Sequence, residues 1–357
     1  MPRNTQVWID TQASQHNLAC VRSLAPEAKL MAVVKADAYG HRLDLCVPAM
    51  ADADLLAVAT LEEARAIRRL GIDQGIVLLE GVSHINDLGA VEELDLELVV
   101  HHEHQLTMIE SLGYSPSHRI WIKVDTGMHR LGFSRVAAAD AFARLSGLTG
   151  LDALCWLSHF AASESDPSFT AEQIQQFDAA VSDFPGEQCL ANSGAILTVP
   201  DSHRDWVRAG IVLYGVSPLK DKIGTELGLV PAMRVESELI AINDVEAGES
   251  IGYGRRFTAD QQMKVGVVAI GYGDGYPRAM RDGAPVLVAG QRCALVGRVS
   301  MDMITIDLSQ VPEARVGDSV TLWGGALPVE EVAQWADTIP YELVCRMTRR
   351  VRYNTSL

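Results

Sequence analysis

The sequence has no C-x-x-C pair, no net positive charge and no apolar run long enough to span a bilayer. Its six cysteines are scattered, which favours a reducing compartment such as the cytoplasm, and no metal site is expected. A net charge of −16 makes nucleic acid and anionic membranes poor partners. The first residues lack an apolar segment with a cleavage site, so no signal peptide is expected. We therefore expect small ligands or protein partners.

The first two-thirds of the chain alternates short apolar runs with amphipathic stretches, a pattern typical of an α/β fold. The runs are rich in Val, Ile and Leu, as expected for strands buried on both faces. Their number predicts an N-terminal (β/α)8 TIM-type barrel. The apolar runs lie at residues 30–34, 55–59, 76–79, 96–100, 120–124, 153–157, 189–191 and 206–207.

The texture changes after a linker-like segment at residues 217–222. Short β-like runs separated by glycine turns follow, and they predict a C-terminal, mostly β domain. We place the barrel at residues 1–225 and the β-rich domain at residues 226–357. The predicted strands of this second domain lie at residues 237–242, 265–270, 285–289, 303–306 and 319–322.

Polar side chains directly follow several of the predicted barrel strands, which is where such barrels form their active sites. Lys35 follows the first run, His159 follows the sixth and Arg208 follows the eighth. Lysines desolvated at such places have a lowered pKa and form Schiff bases. A lysine that merely extends its amine to the barrel rim remains the alternative on this evidence alone.

The segments around these residues resemble the alanine racemase family, whose members carry pyridoxal 5'-phosphate on a lysine. The string Val-Lys-Ala-Asp-Ala-Tyr-Gly-His at residues 34–41 is similar to the family's cofactor-attachment motif. The other similar strings follow in the family's order and cover nearly the whole chain. They lie at residues 123–132, 158–160, 192–193, 207–215, 252–254, 271–278, 299–303 and 339–342.

The resemblance implies a racemase that interconverts L-alanine and D-alanine with two bases on opposite faces of a planar carbanion. Lys35 would serve one face and Tyr253 the other. Because the family forms head-to-tail homodimers with shared active sites, Tyr253 and Met301 would serve the partner's Lys35. Arg130 and Met301 would bind the substrate carboxylate, and Lys123 aligns with a lysine that is carbamylated in some members.

The resemblance also implies the residues that would bind pyridoxal phosphate. Arg208 would face the ring nitrogen, and because a guanidinium stays protonated, that nitrogen would stay unprotonated. His159 would orient Arg208. The expected cofactor-binding set is Lys35, Tyr39, His159, Asn192, Ser193, Arg208, Gly210, Ile211 and Tyr341.

Two positions depart from the family pattern, which usually has glycine where this chain has Arg42 and proline where it has Ala209. Neither change removes a reacting group. The alternatives are a broader racemase for serine or basic amino acids, a barrel decarboxylase and a cofactor carrier. The chain lacks the decarboxylases' Glu-Pro-Gly-Arg string, and a carrier built on the barrel alone would lack the second domain.

Overall fold

The computed structural model describes residues 4–355 and contains a closed parallel barrel followed by a mostly β unit. The eight barrel strands pair in chain order, and β2 pairs with β9 to close the circle. The predicted fold class is therefore confirmed. The barrel strands are β2 (Lys29–Val33), β3 (Leu55–Val58), β4 (Ile76–Leu78), β5 (Leu96–Val100), β6 (Arg119–Lys123), β7 (Ala153–Leu157), β8 (Gln188–Cys189) and β9 (Trp206–Ala209).

Side chains fill the barrel interior because alternate residues of each strand point inward. The inward set includes Met31, Val33, Leu55 and Ala57, and Trp121 contributes the largest buried side chain. The intervening residues pack outward against the helices. With the middle of the barrel closed, only its two ends are open to a ligand.

Helices follow most barrel strands, and side chains cap several of their first turns. Thr60 and Glu63 form a capping box at the start of α4. The helices are α1 (Thr11–Leu24), α2 (Lys35–Tyr39), α3 (Leu43–Cys46), α4 (Leu61–Arg69), α5 (Leu88–Glu93), α6 (Glu103–Leu112), α7 (Arg135–Leu145), α8 (Pro167–Val181), α9 (Ser193–Thr198), α10 (Val329–Trp335) and α11 (Pro340–Cys345). Short 3-10 helices lie at Val47–Met50, Ile85–Asp87, Pro200–Ser202, Ile211–Tyr214, Gly224–Leu227 and Tyr253–Arg255.

The second unit is organised around the long strand β10, which pairs with β1, β13 and β17. The main path of the sheet runs β15-β14-β17-β10-β1-β18, β16 extends it through β13, and β11 pairs with β12 separately. These strands are β1 (Gln6–Ile9), β10 (Met233–Val245), β11 (Ser250–Ile251), β12 (Phe257–Thr258), β13 (Met263–Val268), β14 (Pro285–Val288), β15 (Gln291–Ala294), β16 (Ile304–Asp307), β17 (Ser319–Trp323) and β18 (Arg352–Thr355).

The strand β1 joins the second sheet although it precedes the barrel in the chain. It pairs antiparallel with β10 and parallel with β18. The sequence-based division assigned residues 1–225 to the barrel, whereas the hydrogen bonds of β1 tie residues 6–9 to the sheet of the second unit. The two units are thus connected by two crossings of the chain.

No helix within the described residues combines the length and the apolar content needed to cross a membrane. Across residues 4–355, no group of three or more His, Cys, Asp or Glu side chains is arranged to hold a metal ion.

Candidate active site

A cavity of about 600 Å³ lies at the carboxyl ends of the barrel strands, and α11 of the second unit covers part of it. Most of the predicted site residues line this cavity. They are Lys35, Tyr39, Lys123, Arg130, His159, Asn192, Ser193, Arg208, Gly210 and Tyr341. Ile211, Tyr253 and Met301 do not. The barrel and α11 together therefore gather predicted side chains that are up to 306 positions apart in the chain (Lys35 and Tyr341).

Lys35 begins a turn with the opposite hand to an ordinary helix. Ala36, Asp37 and Ala38 have φ of 54°, 54° and 55°, and Tyr39 has φ of 52°. Left-handed backbone costs L-residues about 1–2 kcal/mol each, so the surrounding structure must hold this turn. The sequence-based prediction placed Lys35 at a strand end and missed the turn, because four non-glycine residues of left-handed backbone run against every local preference.

Several contacts hold the left-handed turn from outside. The N–H of Ala36 donates to Glu63 Oε1 at 2.6 Å, and the N–H of Leu43 donates to Asp37 Oδ1 at 2.8 Å. At Gly40 (φ 77°), a Cβ would lie 2.0 Å from the carbonyl oxygen of Val344, so only glycine allows this approach of the second unit. The turn is thus fixed both by the barrel and by α11.

The cavity wall carries an excess of positive charge although the chain as a whole is strongly negative. Lys35, Lys123, Arg130 and Arg208 face it, and Glu80 is the carboxylate among the lining residues. Burial lowers the pKa of the Lys35 amine, an effect that Glu80 opposes and that the two arginines strengthen. Such a wall suits an anionic ligand.

Lys123 shares this environment. Burial, followed by the charges of Arg208, Arg130 and Lys35, lowers the pKa of its amine to about 8. Asp125 makes other contacts, since its carboxylate accepts hydrogen bonds from the N–H groups of Gly127 and His129, each at 3.0 Å. The negative charge of Asp125 nevertheless acts on Lys123 and opposes part of the lowering of its pKa.

Arg208 is buried and its guanidinium is held on several sides. Nη2 donates to the carbonyl of Ser158 at 2.9 Å and to Nδ1 of His159 at 3.0 Å, and Nη1 donates to Sγ of Cys189 at 3.0 Å. Burial and then the charge of Arg208 lower the pKa of His159 to about 2, so its ring is neutral and Nδ1 can accept. This rigid, permanent cation is aimed into the cavity.

Hydroxyl groups gather around Gly210 on one side of the cavity. Its N–H donates to Ser193 Oγ at 2.9 Å, and a Cβ at this position would lie 2.7 Å from Tyr39 Oη. Burial raises the pKa of Tyr39 to about 12 and raises the pKa of Tyr341 as well, so both phenols stay protonated and can donate. Residue 210 therefore forms a small cradle with donors around it, which suits a phosphate group.

Asn192 and Ile211 lie beside this cradle, but of the two only Asn192 lines the cavity. Asn192 caps α9, because Oδ1 accepts from the N–H of Ala195 at 3.0 Å and from Ser163 Oγ at 2.8 Å. Ile211 is buried at the start of its 3-10 helix and its side chain does not line the cavity.

Tyr253 and Met301 lie on the surface of the second unit, away from this chain's own cavity. Tyr253 is 72% exposed between Gly252 and Gly254, and Met301 is 52% exposed. The carbonyl of Met301 accepts from the N–H of Gly273 at 2.9 Å, which fixes its loop. Neither residue completes the Lys35 cavity within one chain.

Glu80 and Cys345 are the titratable lining residues that the sequence-based prediction missed. Glu80 follows β4 closely, so the same strand-end rule that selected Lys35 and His159 points to it. Cys345 lies at the end of α11, far along the chain from the last barrel strand, and nothing in the sequence around it indicates contact with the cavity.

Comparison with protein families gives two matches that together span the chain. Residues 9–218 match the N-terminal domain of alanine racemase, and residues 232–355 match its C-terminal domain. The chain belongs to the alanine racemase family. The predicted family is thereby confirmed.

Relatives within the alanine racemase family are similar along their whole length. The alanine racemase of Shewanella piezotolerans is 48% identical over 96% of both chains. The crystal structure of biosynthetic alanine racemase from Pseudomonas aeruginosa has a TM-score of 0.96 and 42% identity, covering 99% of this chain and 100% of that one. The alanine racemase structure from Acinetobacter baumannii has a TM-score of 0.95 and 38% identity with the same coverage.

Proposed function

We propose that this chain is a pyridoxal-phosphate-dependent alanine racemase, an isomerase that interconverts L-alanine and D-alanine. The observation that carries the proposal is a half-buried lysine of lowered pKa in a cavity lined by three further cations and a hydroxyl-bearing cradle. The relatives named as alanine racemases support alanine as the substrate. The six free cysteines also favour a reducing compartment such as the cytoplasm.

The residues around the cavity fit pyridoxal phosphate. Lys35 would hold it covalently, while Ser193, Tyr39, Tyr341 and the backbone at Gly210 would hold its phosphate. When bound, this cofactor supplies an electron-withdrawing ring that makes the Cα proton of the substrate removable.

Arg208 would control how strongly that ring withdraws electrons. Its guanidinium can donate a proton in a hydrogen bond but cannot accept one, so the ring nitrogen facing it would stay unprotonated. Because His159, Ser158 and Cys189 fix Arg208 from other sides, the guanidinium cannot turn away. The expected result is weaker electron withdrawal, which favours return of a proton to Cα and limits side reactions.

Two bases would move the proton. Nζ of Lys35, with a pKa lowered by burial, would act on one face of Cα and Oη of Tyr253 on the other. Arg130 and the N–H of Met301 would hold the substrate carboxylate. Since Tyr253 and Met301 are exposed on the second unit, we propose that they serve the cavity of a second copy in a homodimer with shared active sites.

The proposal is tested by cofactor trapping and chiral analysis. We expect borohydride to reduce the bond between the cofactor and the lysine, so that the cofactor's mass appears on the peptide containing Lys35. We also expect the purified protein to convert L-alanine to the racemate. Lys35→Ala should abolish both results, whereas Lys264→Ala, which changes an exposed lysine of β13, should change neither. A panel including serine and basic amino acids measures substrate breadth. Unlabelled Lys35 or an active Lys35→Ala variant would refute the proposal.

The shared site is tested by mixing two inactive variants. A Lys35→Ala chain and a Tyr253→Phe chain, denatured together and refolded, should form heterodimers with one intact site. Activity should then exceed that of either variant refolded alone. If the mixture gains nothing, although light scattering reports dimers, Tyr253 does not serve the partner's cavity.

A further inference from the structure

His41 is a fully buried imidazole to which the proposed reaction gives no task. Its side chain is inaccessible to solvent, six positions after Lys35 and just beyond the left-handed turn. Within the described part of the chain, no hydrogen-bond partner faces its Nε2 atom. With Nε2 unused, His41 can contribute through its other nitrogen or through the face of its ring.

The other nitrogen contacts the end of the left-handed turn. Nδ1 lies 2.9 Å from the carbonyl oxygen of Tyr39 and 3.2 Å from that of Ala38. Burial lowers the pKa of His41 to about 4, so the ring is neutral near pH 7 and carries one proton. Because both neighbours of Nδ1 are acceptors, that proton belongs on Nδ1, which donates to the turn.

An aromatic stack connects the ring of His41 to the residues that precede Lys35 in the chain. The ring stacks on Tyr214 with ring centroids 4.5 Å apart, and Tyr214 stacks on Tyr39 at 5.2 Å. The hydroxyl of Tyr214 donates to the carbonyl of Val33 at 3.0 Å, just before Lys35. His41 thus touches the structure that holds the chain both before and after the lysine.

We propose that His41 is a positioning residue whose Nδ1–H holds the left-handed turn, so that the Lys35 amine and the Tyr39 hydroxyl face the same cavity. The role rests on the proposed function, since it matters only if Lys35 and Tyr39 hold the cofactor. The turn is strained because four consecutive non-glycine residues have left-handed backbone. Without the donor, the carbonyls of Ala38 and Tyr39 would be buried with one partner fewer.

Two variants separate the donor from the ring. His41→Asn keeps an N–H donor near the place of Nδ1 but removes the ring, whereas His41→Phe keeps a ring for Tyr214 but removes the donor. We measure Tm without cofactor and the dissociation constant for pyridoxal phosphate by absorbance titration, with inorganic phosphate as competitor. His41→Phe should weaken cofactor binding at least tenfold, and His41→Asn should stay within about threefold of the unaltered protein.

A merely structural role would make the loss of affinity follow the loss of Tm, with the two variants equally affected or His41→Asn the worse. Tyr276→Phe is the matched control, because Tyr276 is also fully buried and its hydroxyl has no hydrogen-bond partner among the described residues, but it lies in the second unit. It should leave cofactor affinity unchanged. Equal affinities of the two His41 variants, or tight binding by folded His41→Phe, would overturn the proposal.

A measurement on the unaltered protein keeps the proposal testable if neither His41 variant folds. Nitrogen-15 NMR of histidine-labelled protein distinguishes a ring protonated at Nδ1 from one protonated at Nε2. We expect the Nδ1–H form for His41, and the Nε2–H form would overturn the proposal. Failure of the unaltered protein to bind pyridoxal phosphate would instead refute the proposed function, and the NMR result would be the same in either case.

Discussion

Replacing Gly210 by alanine should weaken cofactor binding while the fold stays intact. The added Cβ would lie 2.7 Å from Tyr39 Oη, and since ordinary contact begins near 3.4 Å, the hydroxyl must retreat by roughly 0.7 Å. A displaced hydroxyl loses its hydrogen bond to a charged phosphate, which is worth about 1.5–3 kcal/mol. At about 1.4 kcal/mol per factor of ten, the dissociation constant should rise about 10- to 150-fold.

The measurement for Gly210→Ala is an absorbance titration of protein freed of cofactor, with Tm recorded in parallel. Gly89→Ala in α5 is the matched control, because among residues 4–355 no atom beyond its chain neighbours and its own helix backbone lies within 4 Å of the Cβ it would add. That control should gain about 0.4–1 kcal/mol of stability and bind the cofactor normally. A Gly210→Ala protein with unchanged Tm and a dissociation constant within twofold of the original would refute the assignment of residue 210 to the phosphate cradle.

Three further changes have defined outcomes. Arg42 has φ 73°, so Arg42→Gly should relieve about 1–3 kcal/mol of backbone strain. The flexibility of glycine in the unfolded chain and the loss of an exposed ion pair with Asp44 oppose this gain. We expect Tm to stay level or rise, and a large fall in Tm would contradict this prediction. Burial raises the pKa of Glu97, so its protonation stabilises the fold below about pH 4.3, and that contribution is lost as pH rises. The side chain in the Glu97→Gln variant cannot ionise. The Tm of this variant should therefore rise relative to that of the unaltered protein as the pH increases from 4 to 7. The amine of Lys123 has a pKa of about 8, so it should combine with CO2 to form a carbamate and release a proton. Adding bicarbonate near pH 8 should raise the activity of CO2-stripped enzyme several-fold, whereas the Lys123→Met variant should not respond. Absence of a carbon-13 carbamate signal would contradict this prediction.

The barrel could be predicted well because its strands are buried on both faces and read as uninterrupted apolar runs. The runs at residues 96–100 and 153–157 coincide with β5 and β7. The strand β1 was missed as part of the second sheet because pairing partners more than 200 positions away leave no local trace. Burial is visible in a sequence, whereas the identity of a distant neighbour is not.

The site was accessible for a different reason. Side chains such as His159 and Arg208 are polar residues placed directly after apolar runs, and the closed barrel then brings them together. The backbone at Lys35 was not accessible, since the left-handed turn is imposed by contacts with Glu63, His41 and the carbonyl of Val344. Local preference favours the right-handed form there, and tertiary contacts override it.

The pairing of β1 with β18 has a consequence for how the protein is made. Residues 6–9 leave the ribosome long before residues 352–355, yet these two segments are neighbours in one sheet. The edge of β1 that faces β18 therefore stays unpaired until residues 352–355 have been synthesised. Deleting residues 352–355 should therefore also disturb residues 6–9, because it removes their partner strand.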